Sequence, residues 1–558
     1  HFRLRPDCAM SDSKHFFQDT ALISTFTLLS RVLGLVRDVA CAAFFGGGLV
    51  WDAFSFAFRV PNLFRHLFGE GALNSAFIPT FTEYLETKDR NQAWRLAWAV
   101  GTALSLVLVA CLLLGETVVL LIPRLAALSA RWNLTLTLTA VLLPYMVFIC
   151  LTALGAAMLQ SLKRFTAPAL APVILNVFWI VSVLVVAPAV AENLRQAIFI
   201  LAAAILCAGV VELALQLFVL GKAGMPWDPV LDLLHPGLRK IAITMLPVVL
   251  GMAAYQLNAL LDGVIAIGLA APEGAETFEL FGVSFSYPLR TGANSALYYA
   301  NRLTQFPLGV FGIALATAIF PTLSSRAAND DMGGYRRSLR EGLGAVLFIG
   351  IPAGVGLIIL ARPTIEMFFE RGEFTGQMTR RTVLVLSAYS TGIWAYCAHH
   401  VLSRAFYSLQ DTRTPAKVAA AVVVLNLVLN LTLIWWLSAA GLALATAIST
   451  AVQSCVLYAI LIRRVGSPGH RRLIMTFIKT VICTVFMAAI TVIVLSFTPT
   501  SPESDLIFVK LLRLSGPLAA GTVSYFLLAA ALRVPELTTF LSALHGVLSS
   551  RDTLGERQ

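Results

Sequence analysis

Long apolar segments alternate with short charged or Pro/Gly-rich breaks over most of the chain. A helix needs about 20 apolar residues to cross a bilayer, and these segments are long enough. None alternates with a period of two, as strands would. We therefore expect an all-α polytopic membrane protein with about 14 transmembrane helices, at residues 18–46, 50–80, 95–122, 134–160, 168–190, 196–220, 240–270, 292–323, 340–361, 380–408, 416–437, 441–462, 473–497 and 507–532.

Composition agrees with a membrane protein. Of 558 residues, 58% are apolar and 13% charged, whereas soluble proteins carry about 25% charged residues. The eight cysteines form no Cys-x-x-Cys pair, so neither a disulfide framework nor a zinc site is indicated. The sequence has no Gly-rich loop followed by Lys-Ser/Thr and no Gly-x-Ser-x-Gly elbow, so we expect no enzyme.

The basic residues predict the orientation in the membrane. With a cytoplasmic N-terminus, 24 Lys and Arg fall in inside loops and 10 in outside loops. Positively charged loops stay on the cytoplasmic side, so both termini are expected there. This bias also explains the net charge of +11 without nucleic acid as a partner.

Two short motifs recur at similar offsets and indicate an internal repeat. Residues 161–168 resemble 408–415, and 76–82 resemble 318–324. Both pairs relate spans six apart, so two six-helix lobes in the same orientation, related by a pseudo-twofold axis, are expected. The predicted organisation is a polar N-terminal extension (1–15), an N-lobe (16–221), a C-lobe (222–463), two further helices (464–535) and a tail (536–558).

Charged side chains fall inside several predicted spans, where each costs at least about 2.5–3.5 kcal/mol to insert. Seven are basic, namely Arg31, Arg37, Arg59, Arg65, Arg302, Arg404 and Lys479. Acidic neighbours on helices 1 and 2 are Asp38, Asp52 and Glu70. Such residues pair with one another, face a wet cavity or serve function.

These charges have two interpretations, salt bridges between helices 1 and 2 or an anion site. Arg302 favours the anion site, because it lies near the start of the second six-helix copy and no acidic residue is nearby in its own span. Arginine suits bidentate phosphate binding. We expect an Arg-lined cavity between the two copies that binds a phosphate-bearing molecule.

Four further polar residues form a candidate cation site. Asn426 and Asn430 lie one turn apart on helix 11, and Thr446 on helix 12 and Asp262 on helix 7 add two oxygen donors. Together they would suit Na⁺ as a coupling ion. Interhelical hydrogen bonding explains the same pattern and is the favoured interpretation of these four residues. We expect no other cofactor.

Several long motifs resemble the MurJ (MviN) lipid II flippase family. They are Arg31-Val-Leu-Gly-Leu-Val-Arg37-Asp38, Asp52-Ala-Phe, Pro61-Asn-Leu-Phe-Arg65, Glu70-Gly-Ala-Leu-Asn-Ser-Ala-Phe-Ile-Pro79, Phe306-Pro307-Leu-Gly-Val-Phe-Gly-Ile-Ala-Leu-Ala-Thr and Phe406-Tyr-Ser-Leu-Gln-Asp411-Thr-Arg-Thr-Pro415. The resemblance runs from about residue 16 to 535. It implies a two-lobed transporter of the multidrug/oligosaccharidyl-lipid/polysaccharide exporter superfamily in the bacterial cytoplasmic (inner) membrane.

The resemblance also implies a substrate and residue roles. The family moves the undecaprenyl-pyrophosphate-linked peptidoglycan precursor, lipid II, to the outer leaflet by alternating access. Its cavity residues correspond here to Arg31, Arg37, Asp38, Arg65 and Arg302. Residues expected near the outer gate are Asp52, Arg59, Glu70 and Gln305, the last standing where many relatives carry Glu. Helices 13 and 14 would form a groove for the lipid tail, and partners would include membrane lipids and cell-wall synthesis proteins.

Two alternatives stay open at this point. Another polyprenyl-linked polysaccharide would use the same superfamily fold. A membrane scaffold without transport would have all its cavity charges paired, and changing them would affect folding rather than flux.

Overall fold

The computed structural model describes residues 6–125, 128–272, 276–280, 283–498 and 507–538. They form two compact units. Unit 1 comprises residues 1–295 with 372–374, and unit 2 comprises 296–371 and 375–558. The predicted all-α polytopic fold is confirmed. Residues 539–558 of the predicted tail lie outside the described residues.

Unit 1 is helical apart from one hairpin. Its helices are α1 (Pro6–Phe45), α2 (Leu49–Ala57), α3 (Arg59–Phe64), α4 (Ala72–Thr87), α5 (Arg90–Leu125), α6 (Ala130–Leu142), α7 (Tyr145–Ser161), α8 (Thr166–Val181), α9 (Ala187–Val190), α10 (Leu194–Lys222) and α11 (Pro236–Gly268). Two π-helical turns, Arg65–Gly71 and Ser182–Val186, join α3 to α4 and α8 to α9. α11, which the repeat assigns to the C-lobe, packs against α4 in unit 1.

Unit 2 is also built from helices. They are α12 (Ala293–Pro307, whose first three residues belong to unit 1), α13 (Ala314–Ala328), α14 (Met332–Ile359), α15 (Ala361–Phe368), α16 (Gly376–Ser390), α17 (Ile393–Ser408), α18 (Arg413–Leu437), α19 (Ala439–Val465), α20 (His470–Ser496) and α21 (Ile507–Ala531). A third π-helical turn, Leu308–Ile313, joins α12 to α13.

Ten continuous helical segments among the described residues are long and apolar enough to cross a membrane. The remaining predicted spans are also helical, but they do not meet this criterion of length and hydropathy. Residues 18–46 and 50–80 carry the charges described above, and the second also breaks into α2, α3, a π-helical turn and α4. Residues 380–408 divide into α16 and α17. In α11 the fully described apolar stretch is Gln256–Gly268.

The burial pattern is that of a protein solvated by lipid. Large apolar side chains are exposed along the long helices, as at Leu113, Leu114 and Val485, each more than 60% exposed. Polar side chains such as Asn176 and Asp52 are instead buried. Lipid provides no hydrogen-bond partner, so polar groups are satisfied inside the protein.

The repeated motifs 161–168 and 408–415, each beginning with Ser-Leu, adopt the same turn. Lys163 and Gln410 both have a φ of 58°, a left-handed conformation that ends a helix. In each copy the next residue donates its main-chain N–H to the carbonyl five positions back, Arg164 to Leu159 and Asp411 to Phe406. This is the Schellman pattern, so the recurring sequence encodes a recurring helix end.

Asp411 then starts the following helix. Its Oδ1 accepts a hydrogen bond from the Thr414 main chain at 2.9 Å, and its Oδ2 accepts from the Thr414 hydroxyl and from Arg464. Burial raises the pKa of Asp411, but these hydrogen bonds outweigh it and hold the pKa below its ordinary value. The carboxylate is therefore ionised where it caps α18.

The long loop after α11 contains a hairpin that the helical pattern did not predict. Strands β1 (Thr277–Leu280) and β2 (Val283–Ser286) pair antiparallel, with Phe278 opposite Phe285. The two rings lie 5.8 Å apart and stack. Such cross-strand aromatic pairs stabilise short sheets.

The last two helices, α20 and α21, pack against other helices of unit 2. α20 lies against α14 and α21, and α21 also contacts α15. The Tyr525 hydroxyl donates to the Phe348 carbonyl at 2.5 Å, and Arg513 pairs with Glu366 at 2.9 Å. The opposite faces carry exposed apolar residues, among them Ile478, Val485 and Leu511.

Candidate functional site

Arg37 joins α1 to α8 inside unit 1. Its Nε and NH2 donate to Oδ1 of Asp38 at 3.1 and 2.9 Å, and NH1 donates to Oδ1 of Asn176 at 3.0 Å. The guanidinium also lies over the Trp179 ring, 4.6 Å from its centroid. Both Arg37 and Asp38 are buried. Part of this charge is thus paired within α1 itself, whereas the salt-bridge interpretation expected pairs between helices 1 and 2.

Arg31, six residues earlier on the same helix, has a different environment. It is exposed and lines a cavity of about 300 Å³ together with Gln160 of α7, Phe165 just before α8 and other residues of α1 and α8. A cavity lined by a cation and other polar groups suits an anionic group. Of the two predicted arginines on helix 1, Arg31 is the one that lines this cavity.

Arg65 begins the π-helical turn between α3 and α4. Its Nε donates to Oδ1 of Asn62 at 3.0 Å, and its NH2 lies 3.4 Å from Nε2 of His66. Arg65 also interacts electrostatically with Glu212 on α10. π-Helical turns often occur at functional sites, and this turn carries the half-buried Arg65.

Arg302 and Gln305 lie on α12 in unit 2. The Arg302 guanidinium lies 5.0 Å from the Tyr298 ring centroid, and its NH2 contacts the Tyr298 hydroxyl at 3.4 Å. Gln305 is exposed, and its Nε2 donates to Oδ1 of Asn301 at 3.2 Å. Stacking on an aromatic ring orients a guanidinium.

Asp52 receives hydrogen bonds across a large sequence distance. It is 1% exposed. Its Oδ2 accepts from the Gly292 main chain at 2.6 Å, and its Oδ1 accepts from the main chain and hydroxyl of Ser295 at 2.7 and 2.6 Å. These N–H groups lie at the start of α12, where they have no partner within the helix. Asp52 thus fixes the entry to α12.

We expect Asp52→Asn to lower the free energy of unfolding by about 1–3 kcal/mol, and with it the unfolding temperature. The reason is that the amide N–H₂ of Asn would face main-chain N–H donors at a buried position. The measurement is thermal unfolding of the purified protein, with Asp89→Asn as the matched control on an exposed turn. An unchanged unfolding temperature for Asp52→Asn would contradict this role.

Arg59 and Glu70 were also predicted to lie near the outer gate. Arg59 donates from NH1 to the Ala259 carbonyl at 3.2 Å, so it joins α3 to α11. Glu70 lies in the π-helical turn Arg65–Gly71, but its side chain lies outside the described residues.

The candidate Na⁺ ligands fall into both units. Asn426 and Asn430 are buried on α18, and Nδ2 of Asn430 donates to Oδ1 of Asn426 at 2.8 Å. Thr446 on α19 donates its hydroxyl to the Leu442 carbonyl at 3.1 Å. Asp262 is buried on α11 in unit 1. The Asn426–Asn430 contact is within one helix, and the Na⁺ site stays a prediction.

Sequence reasoning missed two buried charged residues. Arg131, counted as a loop residue, is 5% exposed and donates to the carbonyls of Ala270 and Ala271 at 2.8 and 2.9 Å. Glu212 is an acid inside a span, 1% exposed. The rule applied to intramembrane arginines would have found Glu212 had it been applied to acids as well.

Comparison with known proteins gives a consistent result. The family model described as "Lipid II flippase MurJ" matches residues 41–509. A "Probable lipid II flippase MurJ" of Vibrio cholerae is 36% identical over 463 residues, covering 80% of this chain and 83% of that protein. A "Lipid II flippase MurJ" of Burkholderia cenocepacia is 30% identical over 470 residues, covering 82% and 86%.

Solved structures agree on the fold. The chain superimposes on "Lipid II flippase MurJ, inward closed conformation" with a TM-score of 0.72 at 24% identity, covering 92% of this chain and 98% of that one. An inward-facing multidrug resistance MATE transporter of the MOP superfamily gives a TM-score of 0.63 at 15% identity, covering 79% and 96%.

Proposed function

The chain belongs to the MurJ family of lipid II flippases, and from that premise we propose that it carries lipid II from the cytoplasmic to the outer leaflet. It is a multi-pass membrane protein, here proposed to lie in the cytoplasmic membrane with both termini inside. A transporter of this kind does no covalent chemistry on its substrate, so we propose no enzymatic role.

The pyrophosphate of lipid II is assigned to the intramembrane arginines. The observation that carries this assignment is Arg31, an exposed arginine lining a cavity inside a membrane unit. Arg65 and Arg302 add half-buried guanidiniums, each oriented by a neighbouring side chain. Arg37, paired with Asp38, contributes positive potential and holds α1 against α8. Charge-assisted bidentate bonds to phosphate are among the strongest that proteins make.

The polyprenyl tail stays in lipid while the head group crosses. Exposed apolar faces on α20 and α21 support the predicted tail groove within residues 464–535. Transport proceeds by alternating access, with Asp52, Arg59, Glu70 and Gln305 at the outer gate. Ligand binding favours one state only through its differential affinity for the two.

Coupling to Na⁺ through Asp262, Asn426, Asn430 and Thr446 is a separate proposal. The buried amide pair on α18 supplies carbonyl oxygens in an apolar setting, the ligand type that hard cations prefer. Cell-wall synthesis proteins are proposed as partners, because they consume the transported precursor.

Complementation tests the function directly. Cells depleted of their own lipid II flippase should grow when they express this chain at a level matched to a rescuing control. Failure to rescue despite correct membrane insertion would favour another polyprenyl-linked polysaccharide as substrate. Replacing Na⁺ with K⁺ in the growth medium should slow rescue if the cation proposal holds.

A further inference from the structure

An apolar cavity of about 370 Å³ lies in unit 1 between the membrane helices α5, α7 and α10. Its walls are mainly leucines, such as Leu106 on α5 and Leu154 on α7. Two further lining residues are glycines, Gly101 on α5 and Gly155 on α7, and their missing side chains leave part of the space open. The cavity shares no described residue with the one that Arg31 lines.

The hydroxyl groups that line this cavity already have hydrogen-bond partners. The Thr102 hydroxyl donates to the Val230 carbonyl at 3.0 Å, and the Ser105 hydroxyl donates to the Gly101 carbonyl at 2.7 Å. Water needs two or more polar partners to stay in a cavity, whereas an apolar cavity of about 150 Å³ stays dry and holds benzene. The larger cavity between α5, α7 and α10 therefore suits a hydrocarbon chain.

The loop between α10 and α11, residues 223–235, covers one end of the cavity. Trp227 and Leu231 of this loop are among the lining residues. The Pro226 carbonyl accepts a hydrogen bond from Nε1 of Trp98 on α5 at 2.7 Å, and the rings of Trp98 and Trp227 lie 6.2 Å apart. Lipid offers no partner to a non-helical backbone, so bonds from a membrane helix allow this loop to lie at the edge of the bilayer.

The exposed side chains of the α10–α11 loop indicate contact with lipid. Trp227, Leu231, Leu233 and Leu234 are each more than half exposed. An exposed apolar patch of this kind marks a protein or membrane contact, and tryptophan is enriched where a membrane meets water. The neighbouring α5 is also the most exposed of the ten spanning segments found among the described residues. The mouth of the cavity therefore opens towards the bilayer.

We propose that this cavity binds an acyl chain of a membrane phospholipid, with the α10–α11 loop lying over the chain. The phospholipid comes from the leaflet on the side of this loop, which is the cytoplasmic leaflet in the orientation proposed above. From Trp98 to Leu106 the lining residues extend about 12 Å along α5. Arg95 lies three residues before Trp98, on the same side of the helix, and is exposed. Its positive charge complements the phosphate of the head group.

Photo-crosslinking of the full-length protein tests the inference. The probe is a phosphatidylglycerol that carries a diazirine in one acyl chain. The protein is reconstituted in vesicles of this lipid, extracted in mild detergent to remove loosely held lipid, and irradiated. Mass spectrometry of its peptides should place the adduct on the lining residues of α5, α7 or α10.

A variant that fills the cavity should lose the adduct. In Gly101→Leu the new Cβ would lie 3.7 Å from Cδ2 of Leu154, an ordinary contact, and the rest of the side chain would occupy the cavity. We expect the adduct to fall about tenfold. Ala203→Leu is the matched control, because it adds an apolar side chain at an exposed position of α10, about 15 Å along the helix from the lining residue Leu213.

The remaining arms keep the inference open to contradiction. Ser105→Phe fills the same cavity if Gly101→Leu does not fold, and the wild-type adduct map is decisive without either variant. An adduct spread evenly over the lipid-facing helices, or one as strong in the folded filling variant as in wild type, would overturn the inference. Excess undecaprenyl phosphate should leave the adduct unchanged. If it removes the adduct, the cavity takes a polyprenyl chain and the phospholipid assignment is wrong.

Discussion

Arg37→Met is expected to lower the free energy of unfolding by about 3–5 kcal/mol, because it leaves the buried Asp38 without its ion pair. Asp38 is 6% exposed, and two guanidinium nitrogens of Arg37 hold its carboxylate. The same change also removes the bond to Asn176 that ties α1 to α8. The measurement is the yield and unfolding temperature of purified protein.

Two controls separate pairing from other effects of the Arg37 change. Arg31→Met removes a cation from the same helix at an exposed position and should leave the unfolding temperature close to wild type. Arg37→Met combined with Asp38→Asn should recover part of the loss, because no buried charge is left unpaired. A single Arg37→Met variant as stable as wild type would show that Asp38 does not depend on this pair.

Arg31→Ala and Arg302→Ala are expected to abolish rescue of flippase-depleted cells while accumulating at wild-type levels. A hydrogen bond to a charged group contributes about 1.5–3 kcal/mol, so losing one contact weakens pyrophosphate binding by about tenfold to a hundredfold. Lysine at either position keeps the charge but loses the bidentate geometry, so partial rescue is expected.

The matched control for Arg302→Ala is Arg404→Ala. Arg404 is another intramembrane arginine of unit 2, and it lies 5.3 Å from the Phe320 ring centroid. Its removal should leave rescue intact, since it has no assigned role in substrate binding. Full rescue by Arg31→Ala and Arg302→Ala would mean that these charges are structural, as in the scaffold interpretation.

Local sequence signals predicted the fold well. Apolar runs of sufficient length formed long helices, and the repeated Ser-Leu motif marked equivalent helix ends at Lys163 and Gln410. The break of residues 50–80 into α2, α3, a π-helical turn and α4 had weaker local signals. The charged residues and Pro61 of this segment were visible in the sequence. Its average hydropathy nevertheless predicts one continuous helix.

Long-range partners were beyond the sequence. Nothing near Asp52 indicates that it binds Gly292 and Ser295, about 240 positions later in the chain. The adjacency of Arg37 and Asp38 was visible, but the α8 side chain Asn176 that completes their environment was not. Glu212 was visible but passed over, and only its packing against α7 reveals unsatisfied neighbours.

The most direct test of the account is transport by the purified protein in sealed vesicles that contain lipid II. Wild type should bring the lipid II head group to the opposite leaflet, and the Arg31→Ala, Arg302→Ala double variant, equally incorporated, should not. Transport by the double variant at the wild-type rate would contradict the assignment of pyrophosphate to these arginines. No lipid II movement by folded wild type would contradict the function itself.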